Sequence, residues 1–339
     1  MRALVLEEFG GPFIPKDVAT PRISPHEALV RVRNVGICGT DLKIRAGRMG
    51  LNVLPLIMGH EVAGEVAEVG SEVRGVAPGD RVTVNFYVTC GHCQFCREGR
   101  DTLCQDVRQH GFSRDGGFAE YMQTPGVNLC KVPDHVPLER ACILADAVAT
   151  SYHAVTKRAQ VRPGKTVALV GVGGVGLHAL QMAKLAGGWA IAVDVNEARL
   201  DLARKFGADA VVDARQRPFD QAVRQLTGGQ GVDVVMEFVA NGQTLPLSYR
   251  SLKRAGRLVF VGYTPELPMP IMPHELVRNE WEIVGARATT KQELLETMDL
   301  VAQGRIQPII DRIFPLEDIE LAFEALRQGN SLGRNVVAV

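Results

Sequence analysis

In the first third of the chain, short apolar runs recur at roughly every second position. Residues 28–33, 61–69, 81–84 and 118–122 follow this rhythm, which predicts strands with one buried face. Gly10-Gly11-Pro12, Ala77-Pro78-Gly79-Asp80 and Gly116-Gly117 separate them as turns. The pattern predicts a β-rich, barrel-like domain up to about residue 135. The rhythm changes near Leu138, and residues 138–157 read as a helix. From Lys165 onward strands and helices alternate. Residues 166–170, 190–194, 210–212, 232–236 and 257–261 read as strands, and 176–186 and 197–206 as helices. Residues 282–285 complete the set. Alternation of this kind predicts an α/β architecture, a doubly wound parallel sheet covered by helices on both faces. Beyond about residue 288 come helices at 291–303 and 316–328, an extended stretch at 306–314 and a final strand at 335–339. That last strand is expected to return to the first domain.

Length and charge narrow the function classes. A chain of 339 residues suggests about two domains. Lys plus Arg and Asp plus Glu both number 38, and no basic stripe breaks the balance. Electrostatic binding to nucleic acid or anionic lipid is therefore not expected. The longest apolar run, 167–177, is too short and too rich in glycine to span a bilayer. Residues 1–7 read as a first strand with no signal-peptide pattern, so a cytoplasmic protein is expected.

Gly171-Val172-Gly173-Gly174-Val175-Gly176 lies between a predicted strand and a predicted helix. In that context a G-x-G-x-x-G turn binds a dinucleotide. Gly171 permits the tight turn, Gly173 lets backbone approach the pyrophosphate, and Gly176 lets helix and strand pack closely. The helix N-terminus offers free N–H groups to the phosphates. Asp194 ends the next strand, where a carboxylate accepts both ribose hydroxyls and repels a 2′-phosphate; Val195 beside it carries no cation. Both residues favour NAD over NADP. Arg199 is placed to flank the ribose from the following helix.

Four of the seven cysteines crowd together as Cys90-x-x-Cys93-x-x-Cys96-x₇-Cys104. Four thiolates with no open position predict a closed structural zinc site. An iron–sulfur cluster is the competing reading, but Gln105 rather than Pro follows the fourth cysteine, and there is one set only. Cys130 and Cys142 read as buried apolar residues.

Gly59-His60-Glu61 opens the predicted strand 61–69, and by itself His60 is better explained by a structural hydrogen bond than by metal ligation. Taken in order, Gly36-Ile37-Cys38-Gly39-Thr40-Asp41, Gly59-His60-Glu61, the four-cysteine lobe and the 171–176 loop resemble the zinc-containing alcohol dehydrogenases of the medium-chain dehydrogenase/reductase superfamily. The resemblance covers essentially the whole chain. It implies a GroES-like catalytic domain from residues 1–147 and 288–339, carrying the zinc lobe at about 90–104, and a Rossmann domain at 148–287.

By this resemblance Cys38, His60 and Asp146 are the ligands of a catalytic zinc, which makes two zinc ions per chain. Asp146 sits in an apolar run, where an unpaired carboxylate is costly. A metal would explain it, and so would pairing with an Arg or Lys. Thr40 resembles the hydroxyl that takes the alcohol proton, Glu61 a carboxylate beside the metal, Thr150 a residue near the nicotinamide, and Arg334 an arginine that reaches the pyrophosphate. Two positions depart from the common pattern. Lys43 replaces a histidine that ends the proton relay, and Gly39 replaces a cation beside the first ligand. Phe86 is a candidate for the substrate pocket, and His153 and Trp281 are weaker ones.

The expected activity is hydride transfer between a primary or secondary alcohol, or its aldehyde or ketone, and NAD. The rivals are a polyol or threonine-type dehydrogenase on the same scaffold and a catalytically silent cofactor-binding protein of this fold. The expected partners are a small-molecule alcohol or carbonyl compound and further copies of the chain in a homodimer or homotetramer. Neither nucleic acid nor membrane is expected.

Overall fold

The computed structural model describes residues 1–50, 53–265, 267–269 and 271–339. The chain divides into two compact units, Met1–Ala149 with Thr289–Val339, and Thr150–Ala288. Among the described residues no helix is long and apolar enough to cross a membrane.

The first unit is β-rich. The strand Glu61–Val69 lies between Glu27–Ile37 and Arg81–Val84 in a seven-stranded sheet. Because it is central, its first four residues are buried on both faces rather than alternately. The final strand, Arg334–Ala338, pairs antiparallel with Glu27–Ile37, Asn335 opposite Ile37, and so returns to this unit as the sequence predicts. Phe118, Phe13 and Phe323 pack edge-to-face in the core, with centroids 4.9–6.1 Å apart.

Residues 138–157 do not form the single helix that their periodicity predicts. Leu138–Ala141 is α-helical and Cys142–Ala145 tightens to 3₁₀. Asp146 leaves the helical region at φ −127°, ψ −72°. Ala147–Tyr152 resumes as α, and His153–Ala159 widens to π-helix. A tertiary contact accompanies the break. The Ala147 N–H donates to Glu61 Oε1 at 3.0 Å.

The second unit holds six parallel strands in the order Ala210–Asp213, Trp189–Asp194, Thr166–Val170, Val232–Glu237, Leu252–Phe260 and Glu282–Gly285. Numbered along the chain this is 3-2-1-4-5-6, the dinucleotide-binding order, with its topological switch beside Thr166–Val170. Ile191, Val193, Val235 and Leu258 are among the buried residues of its core.

Asp233 ties the start of its strand to two neighbours. It pairs with Lys165 Nζ at 2.8 Å and Lys253 Nζ at 2.7 Å, and accepts the Thr166 N–H at 3.0 Å. Burial works to raise its carboxyl, but Lys165, Lys253 and Thr166 outweigh burial and draw it well below the usual range. Both tryptophans, Trp189 and Trp281, lie in this unit and report its unfolding. Asp233→Asn is expected to cost about 2 kcal/mol at neutral pH, the scale of hydrogen bonds to a charged group. A depressed native pKa stabilises above the unfolded value and loses that effect as pH falls. The gap in urea midpoint between wild type and variant should therefore close in acid. A gap that widens in acid would contradict this reading.

Candidate active site and metal centres

Three segments of the first unit converge on one point. Cys38 is the N-cap of the helix Gly39–Arg45, its Sγ accepting the Thr40 N–H at 3.4 Å. Asp41 completes a capping box, its Oδ2 accepting the Cys38 N–H at 2.8 Å. The helix N-terminus therefore directs N–H groups and partial positive charge at the sulfur. His60 stands immediately before the strand Glu61–Val69, its Nδ1 donating to Asp41 Oδ1 at 3.0 Å. That bond fixes the ring and turns Nε2 toward Asp146, whose Oδ2 lies 3.7 Å away. Asp146 occupies the helix break described above. His60 and Asp41 are buried, and Phe86 and Phe112 flank the imidazole with centroids 5.0 and 5.1 Å away.

The Cys38 sulfur, a His60 nitrogen and an Asp146 oxygen all lie within 4.8 Å of one another. Tetrahedral zinc with bonds of 2.0–2.3 Å sets its ligands about 3.3–3.8 Å apart. The set S, N, O suits zinc, and three protein donors leave one position open. The charges also fit a cation. Burial opposes charge on His60, yet Asp41 and Asp146 lift the imidazole well above its usual value.

Glu61 and Arg334 form the outer wall. Arg334 Nε and Nη2 both reach Glu61 Oε1, at 3.0 and 2.8 Å, and Nη2 also donates to Asp146 Oδ2 at 2.8 Å. Burial pushes the Glu61 carboxyl up to about 7 in spite of Arg334. Gly36 makes room for it, since a Cβ there would lie 1.9 Å from Glu61 Oε2. Asp146 thus meets both explanations of a buried acid at once, with a metal-type cluster on one side and an arginine on the other.

Arg334, expected to reach a pyrophosphate, is 5% exposed, and its Nε and Nη2 meet two carboxylates of its own unit. Burial opposes its charge, but Cys38, Glu61 and Asp146 together outweigh burial and hold the guanidinium charged. Thr40 lies half-buried in the first helical turn and Lys43 one turn further on. Burial draws the Lys43 ammonium below its ordinary value.

Cys90, Cys93, Cys96 and Cys104 form a second cluster. Sulfur separations are 3.6 Å for Cys93–Cys96 and Cys90–Cys104 and 4.0 Å for Cys90–Cys96. Four thiolates around zinc at 2.3 Å stand about 3.8 Å apart. All seven cysteines are free. Backbone N–H groups draw Cys93 down to about 6 while burial pushes Cys96 up to about 12. A bound cation would let all four ionise together.

In the second unit, Gly171 has φ +89°, and a Cβ on Gly176 would lie 2.0 Å from the Gly171 carbonyl oxygen. This is the close turn that the sequence predicts. It leads into the helix Gly176–Leu185, capped at Val175. His178, on that helix, donates through Nδ1 to the Gly174 carbonyl at 2.6 Å. Asp194 ends its strand with Oδ2 on the Val172 N–H at 2.9 Å and Oδ1 on the Val195 and Asn196 N–H groups at 2.8 and 2.9 Å. The acid thereby ties the glycine loop to the following turn. Arg199 Nη1 lies 3.8 Å from Asp194 Oδ1, beside Gly173. Thr150 is buried. Trp281 donates to the Lys253 carbonyl. His110 is buried between the Asp115 carbonyl and Thr124 Oγ1.

Residues 24–134 match the alcohol dehydrogenase GroES-like domain, and 174–303 the zinc-binding dehydrogenase domain. An alcohol dehydrogenase of Geobacillus stearothermophilus is 37% identical over 342 residues, covering all of both chains. The chain belongs to the zinc-binding alcohol dehydrogenase family. Other members of this family include an NAD-dependent alcohol dehydrogenase of Sulfolobus acidocaldarius, 33% identical over 350 residues and all of both chains. The crystal structure of the alcohol dehydrogenase from the hyperthermophilic archaeon Aeropyrum pernix superposes with a TM-score of 0.95 at 37% identity, again over all of both chains. The GroES-like and dinucleotide-binding folds of the family are those found here.

Two contributors to the metal-type site were not singled out by the sequence reading. Asp41 was detectable as an acid three residues after Cys38, the spacing of a capping box. Phe112 carried no local signal.

Proposed function

We propose that this protein is a zinc-dependent dehydrogenase that moves a hydride between the carbinol carbon of a primary or secondary alcohol and C4 of the nicotinamide of NAD. The observation that carries this reading is the S, N, O donor set of Cys38, His60 and Asp146 with one position open. Zinc held there supplies Lewis acidity that lowers the pKa of an alcohol. NAD supplies the hydride acceptor.

The chain's own residues do the rest. Asp41 fixes His60 through Nδ1, and Arg334 holds the outer oxygen of Asp146, so the donors are preorganised. The Thr40 hydroxyl takes the alcohol proton as it releases its own outward, to water or by way of the ribose with Lys43, one turn along the same helix, assisting. The 171–176 loop and its helix N-terminus take the pyrophosphate, and Asp194 takes the adenosine ribose. Hydride leaves the carbinol carbon as the carbonyl forms, and the proton leaves separately through Thr40. The reverse reaction reduces a carbonyl.

Two further parts of this reading rest on the family resemblance: a homodimer or homotetramer, and a cytoplasmic setting that suits seven free thiols. Lys43 and Gly39 keep a polyol or threonine-type dehydrogenase as the second reading. A screen of 1-alkanols, secondary alcohols, polyols and L-threonine, following NADH absorbance, tests the choice. High kcat/KM for a polyol or threonine alone would replace the first reading with the second.

The two clusters have separable roles. Cys96→Ser is expected to lower zinc from two ions per chain to one, and to lower the thermal midpoint of the first unit. The ion that remains should be the one at Cys38. Full zinc content in this variant would contradict the four-thiolate site.

A further inference from the structure

Glu237 ends the strand Val232–Glu237 and is fully buried. No cation pairs with it among the described residues. Backbone and hydroxyl donors hold the carboxylate instead, with Thr244 adding to those that follow. The Val239 and Ala240 N–H groups reach Oε1 at 2.9 and 2.8 Å, and the Ser248 hydroxyl reaches Oε2 at 2.5 Å. The Glu237 backbone carbonyl also accepts the Val261 and Gly262 N–H groups, both at 3.0 Å. One residue thus joins the C-terminal ends of the fourth and fifth strands, the turn after the fourth, and the helix Thr244–Arg250.

That turn is an anion nest. Ala240 sits at φ +51°, and successive N–H groups converge on a single oxygen. The chain fills this nest with its own carboxylate, a costly group to bury without a cation. The geometry shows what the turn holds in place. A Cβ on Gly171 would lie 2.6 Å from Val239 Cγ2, so the Val239 side chain covers the first glycine of the loop. Val239 is still 41% exposed, with its other face open.

We propose that Glu237 is a positioning residue for the dinucleotide: by filling the Val239–Ala240 nest it holds Val239 against Gly171 and fixes the first turn of the glycine loop. The proposal rests on the reading of that loop as an NAD site. It assigns Glu237 a role in coenzyme affinity and none in the proton or hydride step.

The test uses the zinc-loaded full chain, NADH fluorescence titration and steady-state kinetics. Glu237→Ala should raise the NADH Kd and the KM for NAD about tenfold, the loss of one hydrogen bond to a charged group. The kcat at saturating NAD should hold. Glu237→Gln keeps an oxygen for both N–H groups and offers its amide to Ser248, so it should stay within about threefold of wild type. Val239→Ala changes a half-open side chain, and it decides the matter if Glu237→Ala fails to fold. It should raise Kd by a few-fold. Wild-type Kd in Val239→Ala, or a Glu237→Ala variant that loses kcat with KM unchanged, would overturn the proposal. If wild-type protein itself fails to bind NADH, the dinucleotide reading falls first and the proposal with it.

Discussion

Cys38→Ser is expected to lower kcat by a factor of about 10³ or more, because loss of a metal ligand removes several kcal/mol of charge stabilisation. Serine is chosen because it is a strong N-cap and can accept the Thr40 N–H in place of the sulfur. The helix Gly39–Arg45 should therefore persist, and with it the Asp41–His60 contact. Coenzyme affinity should not change, since Gly171 to Gly176, Asp194 and Arg199 belong to the other unit. Three readings on one preparation check this: kcat from NADH absorbance, NADH Kd from fluorescence, and zinc per chain, which should fall from two to one. Near-normal turnover with one ion per chain would contradict the role given to Cys38.

The second large effect is on stability. Arg334 is the cation shared by Glu61 and Asp146, and all three side chains are at least largely buried. Arg334→Met removes the cation that two buried carboxylates share and should cost about 3–5 kcal/mol. Adding Glu61→Gln should recover a substantial part of that loss, since it neutralises one of the two carboxylates that lost their shared cation. The urea midpoint of the first unit for wild type, each single variant and the double variant gives the coupling directly. Zinc affinity in Arg334→Met should also fall, by about 10–100-fold, because the outer oxygen of Asp146 is no longer held. Strict additivity in the cycle would contradict the shared-cation description.

The fold and the site were legible in the sequence to different degrees. The glycine loop with Asp194 and the four cysteines could be read directly, because each is local and its spacing carries the chemistry. The strand–helix alternation after Lys165 predicted the parallel sheet, including its last strand at Glu282–Gly285. The donor set of Cys38, His60 and Asp146 was not legible as a set, since 22 and then 86 residues separate its members. Only the family resemblance joined them before the structure did.

Three features of the site had no local signal. The helix Gly39–Arg45 has seven residues and a cysteine as its N-cap, so the usual Ser, Thr, Asp or Asn signal is missing. The break at Asp146 lies in the apolar stretch 141–149, which has no Gly or Pro to mark it. It is accompanied by Glu61, 85 residues earlier, which takes the Ala147 N–H. Arg334 was read from a resemblance to a coenzyme contact, whereas its neighbours here are the two acids of its own unit. At Asp146 and Arg334 a long-range polar contact accompanies the departure from the local pattern, and both contacts lie at the metal-type site.

The central claim is direct transfer of hydride from an alcohol carbon to the nicotinamide. The measurement that meets it most directly is mass analysis of the reduced coenzyme formed by the zinc-loaded protein from NAD. The substrates are a primary alcohol deuterated at C1 and a secondary alcohol deuterated at C2. Deuterium on the nicotinamide ring of the product, lost together with turnover in Cys38→Ser, is the predicted result. Reduced coenzyme without deuterium, or no reduction of NAD with either alcohol while zinc occupies the Cys38 site, would contradict it.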